Sequence, residues 1–138
     1  MTRIPRNAVP LAEWSRRQAW KVVDEIRPDY AGMLAKQCEA EGHIVRRDVL
    51  YAEPRKLRAD LLVMQARGRE LKKVLVEIQG GIFTRQAHGS ITGILADNDR
   101  LNEAIIHGWR MLRVTPDMIL KDGKPNGEAL ALVKRALG

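Results

Sequence analysis

The sequence is poor in cysteine and in long apolar runs, and each shortage excludes a class of protein. Cys38 is the only cysteine among 138 residues, which excludes an intramolecular disulfide and a zinc site of paired cysteines. We expect it to be a small buried residue on a helix. The longest apolar stretches, 61–64 and 74–76, are far shorter than the ~20 residues needed to cross a bilayer. The amino-terminal region has prolines and no apolar run, so it does not resemble a secretory signal, and we expect a cytoplasmic protein without a membrane partner.

Acidic residues are also in the minority. The chain has 17 Asp and Glu against 24 Lys and Arg, which gives a net charge of +7. This excess favours a polyanionic partner such as nucleic acid, bound through salt-sensitive phosphate contacts. A basic protein without such a partner fits the charge equally well. Hydrophobic residues make up 45% and charged residues 30%, which predicts one folded domain over residues 1–138, with residues 1–27 as a helical extension at its start.

Apolar periodicity, glycine and proline predict a mixed α/β (α+β) chain. The expected order is helix, helix, strand, strand, strand, helix, strand, helix. The second and third strands should form an antiparallel hairpin about residues 66–70, and the helical crossover after them lets the last strand lie parallel. The third helix should carry one apolar stripe, formed by Ile94, Leu95, Leu101, Ala104 and Ile105. The expected helices are 11–27, 29–41, 92–107 and 128–137; the strands are 43–51, 57–65, 72–79 and 109–115; a helical turn is expected at 117–120, and loops at 82–93 and 121–127.

Two carboxylates interrupt neighbouring apolar strands. Asp60 lies within the run 57–63 and Glu77 within the run 74–78. A carboxylate inside an apolar strand is costly to bury unless its charge is compensated. If the strands pair, the two acids can converge, and a hard divalent cation would relieve their repulsion. Alternatively, each acid faces outward or pairs with Arg58 or Lys73.

The segments around these acids resemble a known family. The chain has Ala59-Asp60 and then Glu77-x-Gln79-Gly80-Gly81, and further matches follow at His88, at Asp97-x-x-Arg100-x-Asn102-x-Ala104 and at 108–115. This ordered set resembles the PD-(D/E)XK nuclease superfamily, and in particular small phage and prophage endonucleases related to very-short-patch-repair and Holliday-junction-resolving nucleases. The resemblance covers roughly residues 44–119. It implies a restriction-endonuclease-like core, in which helices flank a central mixed four-stranded sheet.

The resemblance also implies a metal site and a reaction. Asp60, Glu77 and the main-chain carbonyl of Ile78 would hold Mg²⁺ or Mn²⁺, with no organic cofactor. The reaction would be hydrolysis of DNA phosphodiester bonds to 5′-phosphate ends, with branched DNA such as Holliday junctions, or damaged DNA, as candidate substrates, in a bacterial or phage-infected cell. A homodimer is an option, with Trp14 and Trp20 of the first helix as contacts, although the core could equally hold both.

Gln79 departs from the family pattern, because Lys is usual at this position. A neutral amide only hydrogen-bonds, so the missing charge could come from Arg85, from Arg100 or from a second metal ion. Otherwise the chain is a weak enzyme or a noncatalytic nucleic-acid-binding module. His88 is placed by the resemblance near the nucleophilic water, as general base or phosphate donor; an exposed loop histidine without a role is the alternative.

Basic residues near the two acids are candidates for contacts with the DNA backbone. They are Arg55, Lys56, Arg58, Arg85 and Arg100, with Arg46 and Arg47 nearby in sequence. Asp97 and Arg100 share a helix face and could form an ordinary surface ion pair. Asp29, or else Glu25, is the candidate for an acid on the first core helix, and Trp109 is expected to pack the helix after the loop against the sheet. His43 and His107 are expected at the surface, at helix ends.

Overall fold

The computed structural model describes residues 28–79 and 91–138. Four strands form one sheet: β1 (Ile44–Leu50), β2 (Arg58–Arg67), β3 (Glu70–Ile78) and β4 (Met111–Val114). The helices are α1 (Tyr30–Ala40), α2 (Ile91–Ile106) and α3 (Glu128–Leu137). A short 3₁₀ helix (Pro116–Met118) and a two-stranded ribbon, β5 (Leu120–Lys121) and β6 (Lys124–Pro125), lie between β4 and α3.

The sheet is mixed, with the strands side by side in chain order. β1 pairs antiparallel with β2, and β2 antiparallel with β3. β4 runs parallel to β3, because the chain passes through α2 between them. The expected α/β class, the hairpin and the parallel last strand are therefore confirmed.

Side chains alternate between the two faces of the sheet, so each face has its own apolar cluster. One face packs against α1 and α3. The opposite face packs against α2 through Ala104, together with Tyr51 and Trp109. The cluster on the side of α1 and α3 includes Leu61, Val63, Val74, Val76 and Val114 of the sheet, Leu34, Ala35 and Cys38 of α1, and Ala129, Val133 and Leu137 of α3.

Most expected elements occur where the sequence places them, with four differences. The fourth strand starts at Met111 rather than at Trp109. The hairpin turn is tighter than residues 66–70, because β2 and β3 pair up to Arg67 and Glu70. Gly68, with a φ of 59°, takes the left-handed backbone that so short a turn needs. The expected loop at 121–127 contains the β5–β6 ribbon. The 3₁₀ helix starts at Pro116 rather than at residue 117.

Three single residues complete the comparison. Cys38 is fully buried on α1, as expected. Trp109 packs beside Ala104 and donates from Nε1 to the carbonyl oxygen of Tyr51 at 2.9 Å. The expectation for His43 was wrong: it is buried, and neither ring nitrogen has a hydrogen-bond partner among the described residues.

Several expectations concern residues that lie outside the described ranges. These are the first helix at 11–27 with Trp14, Trp20 and Glu25, the segment from Gly80 to residue 90 with Arg85 and His88, and the surface loop expected at 82–93, apart from its last three residues, which open α2. Within the described residues, no helix combines the length and the apolar character needed to cross a membrane.

Candidate active site at the end of the central strands

Asp60 and Glu77 lie opposite each other on the two central strands. The last regular pair between β2 and β3 is Leu61 with Val76, and the same register continued by one residue places Asp60 against Glu77. Directly opposed residues of an antiparallel pair project to the same face of the sheet. Glu77 lies on the face that α2 covers, because Arg100 of α2 binds it. Asp60 lies at a break in the alternation, since Ala59 packs with the cluster on the α2 side and Leu61 with the opposite one.

At this end of the β2–β3 pairing, a side chain rather than a main-chain carbonyl accepts the hydrogen bond of a main-chain N–H group. The Oδ2 of Asp60 accepts a hydrogen bond from the main-chain N–H of Ile78 at 2.7 Å. The carboxylate of Asp60 is thus held against the residue that follows Glu77, while the residue as a whole stays exposed. Asp48 of β1 stands opposite Asp60 by the register of its neighbours, but the two residues do not form a regular strand pair. The backbone of Asp48 is left-handed, with a φ of 55°.

Glu77 is the buried member of the pair, with 9% of its surface exposed. Arg100 of α2 donates from Nε to Oε1 at 3.0 Å, and its Nη2 contacts both the same oxygen and the carbonyl oxygen of Arg58. Arg113, the register partner of Glu77 on β4, lies with Nε 3.9 Å from Oε2. Two guanidinium groups therefore compensate the charge of this carboxylate.

The alternative partners considered from sequence, Arg58 and Lys73, do not contact Glu77. Arg58 lies with Nη1 3.5 Å from Oδ2 of Asp48. The ammonium of Lys73 lies 4.8 Å from the centre of the Trp109 ring. The sequence could not reveal Arg100 and Arg113 as partners, because both come from elements that reach Glu77 only through tertiary packing.

Arg113 also connects the site to the first half of α2. Its Nη2 donates to the carbonyl oxygen of Asp97 at 2.6 Å, and Nη1 lies 3.9 Å from Oδ2 of the same residue. The surface ion pair of Asp97 with Arg100, considered from the sequence as an alternative, does not form, since Arg100 turns towards Glu77. The Nε of Arg113 is buried and has no hydrogen-bond partner among the described residues. It is therefore still able to move closer to Oε2 of Glu77 and donate a hydrogen bond to it.

Tyr51 borders the site and was not predicted from the sequence. Its hydroxyl donates to the carbonyl oxygen of Arg100 at 3.2 Å, and the Arg100 guanidinium lies 6.0 Å from its ring centre. Burial raises the pKa of the Tyr51 hydroxyl, although Arg100 opposes this. Burial of Arg100 disfavours its charge, but Glu77 outweighs this, and the pKa of Arg100 is raised. Arg100 therefore stays a cation.

Of the other candidate basic residues, those within the described ranges lie around the site but not in it. Arg55 fixes the turn before β2 to α2, with contacts of 2.6 Å to Asp99 and 3.3 Å to Glu103. Lys56 is exposed and forms no ion pair within the described residues. On the far edge, Arg47 binds Asp29 at 2.6 Å.

Gln79 follows β3 directly and is half-buried. Its main-chain N–H donates to the carbonyl oxygen of Val114 at 2.8 Å, which places the residue at the same end of the sheet as both acids. His107 is exposed at the end of α2, as expected, with Nε2 3.5 Å from Oε2 of Glu103. Residues 28–79 and 91–138 contain no group of three or more His, Cys, Asp or Glu arranged to hold a metal ion.

Comparison of the chain with family models, with curated proteins and with solved structures finds no match. Function is therefore argued from the site itself.

Proposed function

We propose that this protein is a metal-dependent endonuclease that hydrolyses DNA phosphodiester bonds at Asp60 and Glu77. The observation that carries the proposal is the closeness of two acids at one end of the central strands: Asp60 accepts from the main-chain N–H of Ile78 at 2.7 Å, next to Glu77, whose carboxylate contacts the cations Arg100 and Arg113. Buried or half-buried charges gathered at one end of a sheet are expensive for folding, and such clusters concentrate at functional sites. The order helix, three strands, helix, strand around a mixed sheet agrees with the core that the family resemblance implies.

The side chains present fit a hard divalent cation. Asp60, Glu77 and the carbonyl of Ile78 supply only oxygen ligands, which Mg²⁺ and Mn²⁺ prefer. A set of two carboxylates and a main-chain carbonyl contains too few acids to form a three-residue cluster, so the lack of such a cluster among the described residues does not count against it. When bound, the cation would polarise the phosphate and lower the pKa of a coordinated water.

The residues around the acids would position the DNA and offset its charge. Arg100 and Arg113 both remain within reach of Glu77, so a phosphate brought to the acids would meet two guanidinium groups. Planar guanidinium groups match phosphate oxygens in pairs of hydrogen bonds. Arg100 thus supplies the positive charge that Gln79 lacks, while the Gln79 amide can only hydrogen-bond.

Cleavage assays with purified protein test this function. Supercoiled plasmid and a four-way junction should be cut with Mg²⁺ or Mn²⁺ and left intact with EDTA. Asp60→Asn and Glu77→Gln should each reduce the rate by at least about a hundredfold, because each removes a charged ligand of the cation. The Asp60 variant carries more weight, since Asp60 is exposed and its loss spares the buried ion pairs.

Glu70→Gln is the matched control. Glu70 is an exposed acid at the other end of β3, about 23 Å from Glu77 at roughly 3.3 Å per strand residue. It should cleave at the wild-type rate. If Asp60→Asn keeps full activity with an unchanged circular dichroism spectrum, the assignment of the site is wrong.

A noncatalytic DNA-binding module is the second candidate. The observation that favours it is the charge balance at Glu77, whose carboxylate is already compensated by Arg100 and Arg113. In this case, isothermal titration would show salt-sensitive DNA binding that is independent of metal, and every substrate would stay intact. Binding of Mn²⁺ that Asp60→Asn abolishes would argue against this candidate.

A further inference from the structure

The helix α2 carries apolar side chains on its outward side. Five large ones are more than half exposed: Ile91 (75%), Ile94 (53%), Leu95 (61%), Ile105 (62%) and Ile106 (73%). Of the apolar stripe expected on this helix, only Ala104 is fully buried, while Ile94, Leu95 and Ile105 are exposed. A surface helix usually turns its polar side outward, so α2 reverses the common pattern.

Helix geometry gathers these residues on one continuous strip. At 3.6 residues per turn, the five apolar residues together with Asn98 and Asn102 occupy an arc of about 120°. We call these seven residues the outer face of α2. The charged residues of α2 lie outside this arc, and their contacts are with Arg113, Glu77 and Arg55; they are Asp97, Asp99, Arg100 and Glu103. The outer face therefore contains no charge, although the chain has a net charge of +7.

The outer face is symmetric about position 100. Asn98 and Asn102 lie two residues to either side, Leu95 and Ile105 lie five residues away, and Ile94 and Ile106 lie six residues away. When two such helices cross antiparallel, the apolar residues of one helix lie against the apolar residues of the other, and Asn98 of one helix lies against Asn102 of the other. Self-complementarity of this kind is what a two-fold interface between identical chains requires.

We propose that the outer face of α2 binds the same face of a second copy of this chain. A continuous exposed apolar strip commonly marks an interaction site, and its symmetry identifies the partner as a second copy. The helix is about 24 Å long at 1.5 Å per residue, so the interface is at the small end of the specific range. We therefore expect a dissociation constant on the order of 10 μM. This proposal does not depend on the nuclease activity.

Analytical ultracentrifugation of the full chain tests the dimer. Wild-type protein should convert from monomer to dimer between about 1 and 300 μM. Ile105→Glu should raise the dissociation constant by at least about a hundredfold, because the two-fold axis buries two added charges at once. Leu71→Glu is the matched control: Leu71 is 51% exposed on β3, and its replacement should leave the dimer unchanged.

Cysteine cross-linking tests the register. A mixture of Asn98→Cys and Asn102→Cys chains should form intermolecular disulfides faster than either variant alone, since position 98 faces position 102 of the partner. The buried Cys38, whose pKa burial raises to about 11, will not compete.

Two results would overturn the proposal. One is a dimer that persists in Ile105→Glu. The other is a monomer at every concentration.

Discussion

In the proposed enzyme, Arg100 and a divalent cation would compete for the same carboxylate oxygen of Glu77. Its Nε lies 3.0 Å from Oε1 of Glu77, and its Nη2 also contacts that oxygen. Two unit charges about 4 Å apart interact by about 4 kcal/mol at an effective dielectric constant near 20. In the proposed enzyme, a bound cation therefore has to displace the guanidinium, which then becomes available for the phosphate of DNA.

Replacement of Arg100 by Gln should move metal affinity and DNA affinity in opposite directions. Mn²⁺ should bind about tenfold more tightly, a change of about 1.4 kcal/mol, because the competing cation is gone. DNA binding should weaken, since one phosphate contact is lost. Isothermal titration with Mn²⁺ and fluorescence anisotropy with labelled duplex DNA measure the two quantities.

Arg69→Gln provides the comparison for this prediction. Arg69 is exposed in the turn between β2 and β3, at the far end of the sheet, so its loss removes the same charge without touching the site. Mn²⁺ affinity that stays constant or falls in Arg100→Gln would mean that the guanidinium does not occupy a metal position.

At the level of elements, Asp29 joins the start of α1 to the edge strand β1. Its side chain accepts from the main-chain N–H of Gly32 at 3.0 Å, which caps the helix. The same carboxylate binds Arg47 of β1 through two hydrogen bonds, of 2.6 and 2.9 Å. The hydrogen bond with Arg47, helped by that with Gly32, lowers the pKa of Asp29. The acid expected on the first core helix therefore has a structural role here.

Asp29→Ala should reduce the free energy of unfolding by about 1–2 kcal/mol at pH 7, as the loss of a cap and an exposed ion pair predicts. The folded-state pKa of Asp29 is lowered, so its contribution is complete above the unfolded value, near 4. The contribution disappears as the pH falls through the lower folded value. Urea unfolding at pH 7 and near pH 2 should therefore show a difference from wild type that shrinks in acid.

Two further variants refine this measurement. Asp29→Asn keeps the cap and loses the charge, so it should fall between Asp29→Ala and wild type. Glu39→Ala, exposed on the same helix, should change stability little. A difference between Asp29→Ala and wild type that stays constant with pH would assign the effect to the helix backbone rather than to the carboxylate.

Local pattern predicted the elements well where local chemistry decides them. Residues 128–137 were expected as a helix and form α3, because good helix formers follow Gly127 and end at Gly138. The β5–β6 ribbon was missed, since two-residue strands carry no periodicity. For α2, periodicity identified the helix and an apolar stripe but not the side that packs inward, because the inward contacts of Arg100 and Glu103 are ionic and hydrophobicity does not reveal them.

At the level of the whole molecule, the sequence indicated the two acids but not their surroundings. Asp60 and Glu77 could be found because each breaks an apolar run, and hairpin pairing then brings them together. Arg113 reaches Glu77 only because β4 pairs parallel with β3, with Glu77 opposite Arg113. Tyr51 depends in the same way on the position of α2. Contacts of this kind require the tertiary arrangement, which spacing along the chain does not contain.

The two proposals together predict how a plasmid is cut. Arg100 connects α2 to the acids, and the opposite side of α2 would bind the partner, so a dimer carries two sites on either side of one helix pair. Once the first strand is cut, the second site is held near the same DNA at an effective concentration in the millimolar range. Above the dimer dissociation constant, wild-type protein should therefore produce linear plasmid with little nicked intermediate.

Dilution and one substitution should both change this outcome. Wild-type protein diluted well below about 10 μM, and Ile105→Glu at any concentration, should accumulate nicked circles before linear DNA appears, because monomers cut one strand at a time. Leu71→Glu should behave as wild type. Gel densitometry over time measures the ratio of nicked to linear plasmid. If this ratio is the same for wild type and Ile105→Glu above the dimer dissociation constant, the two sites act independently.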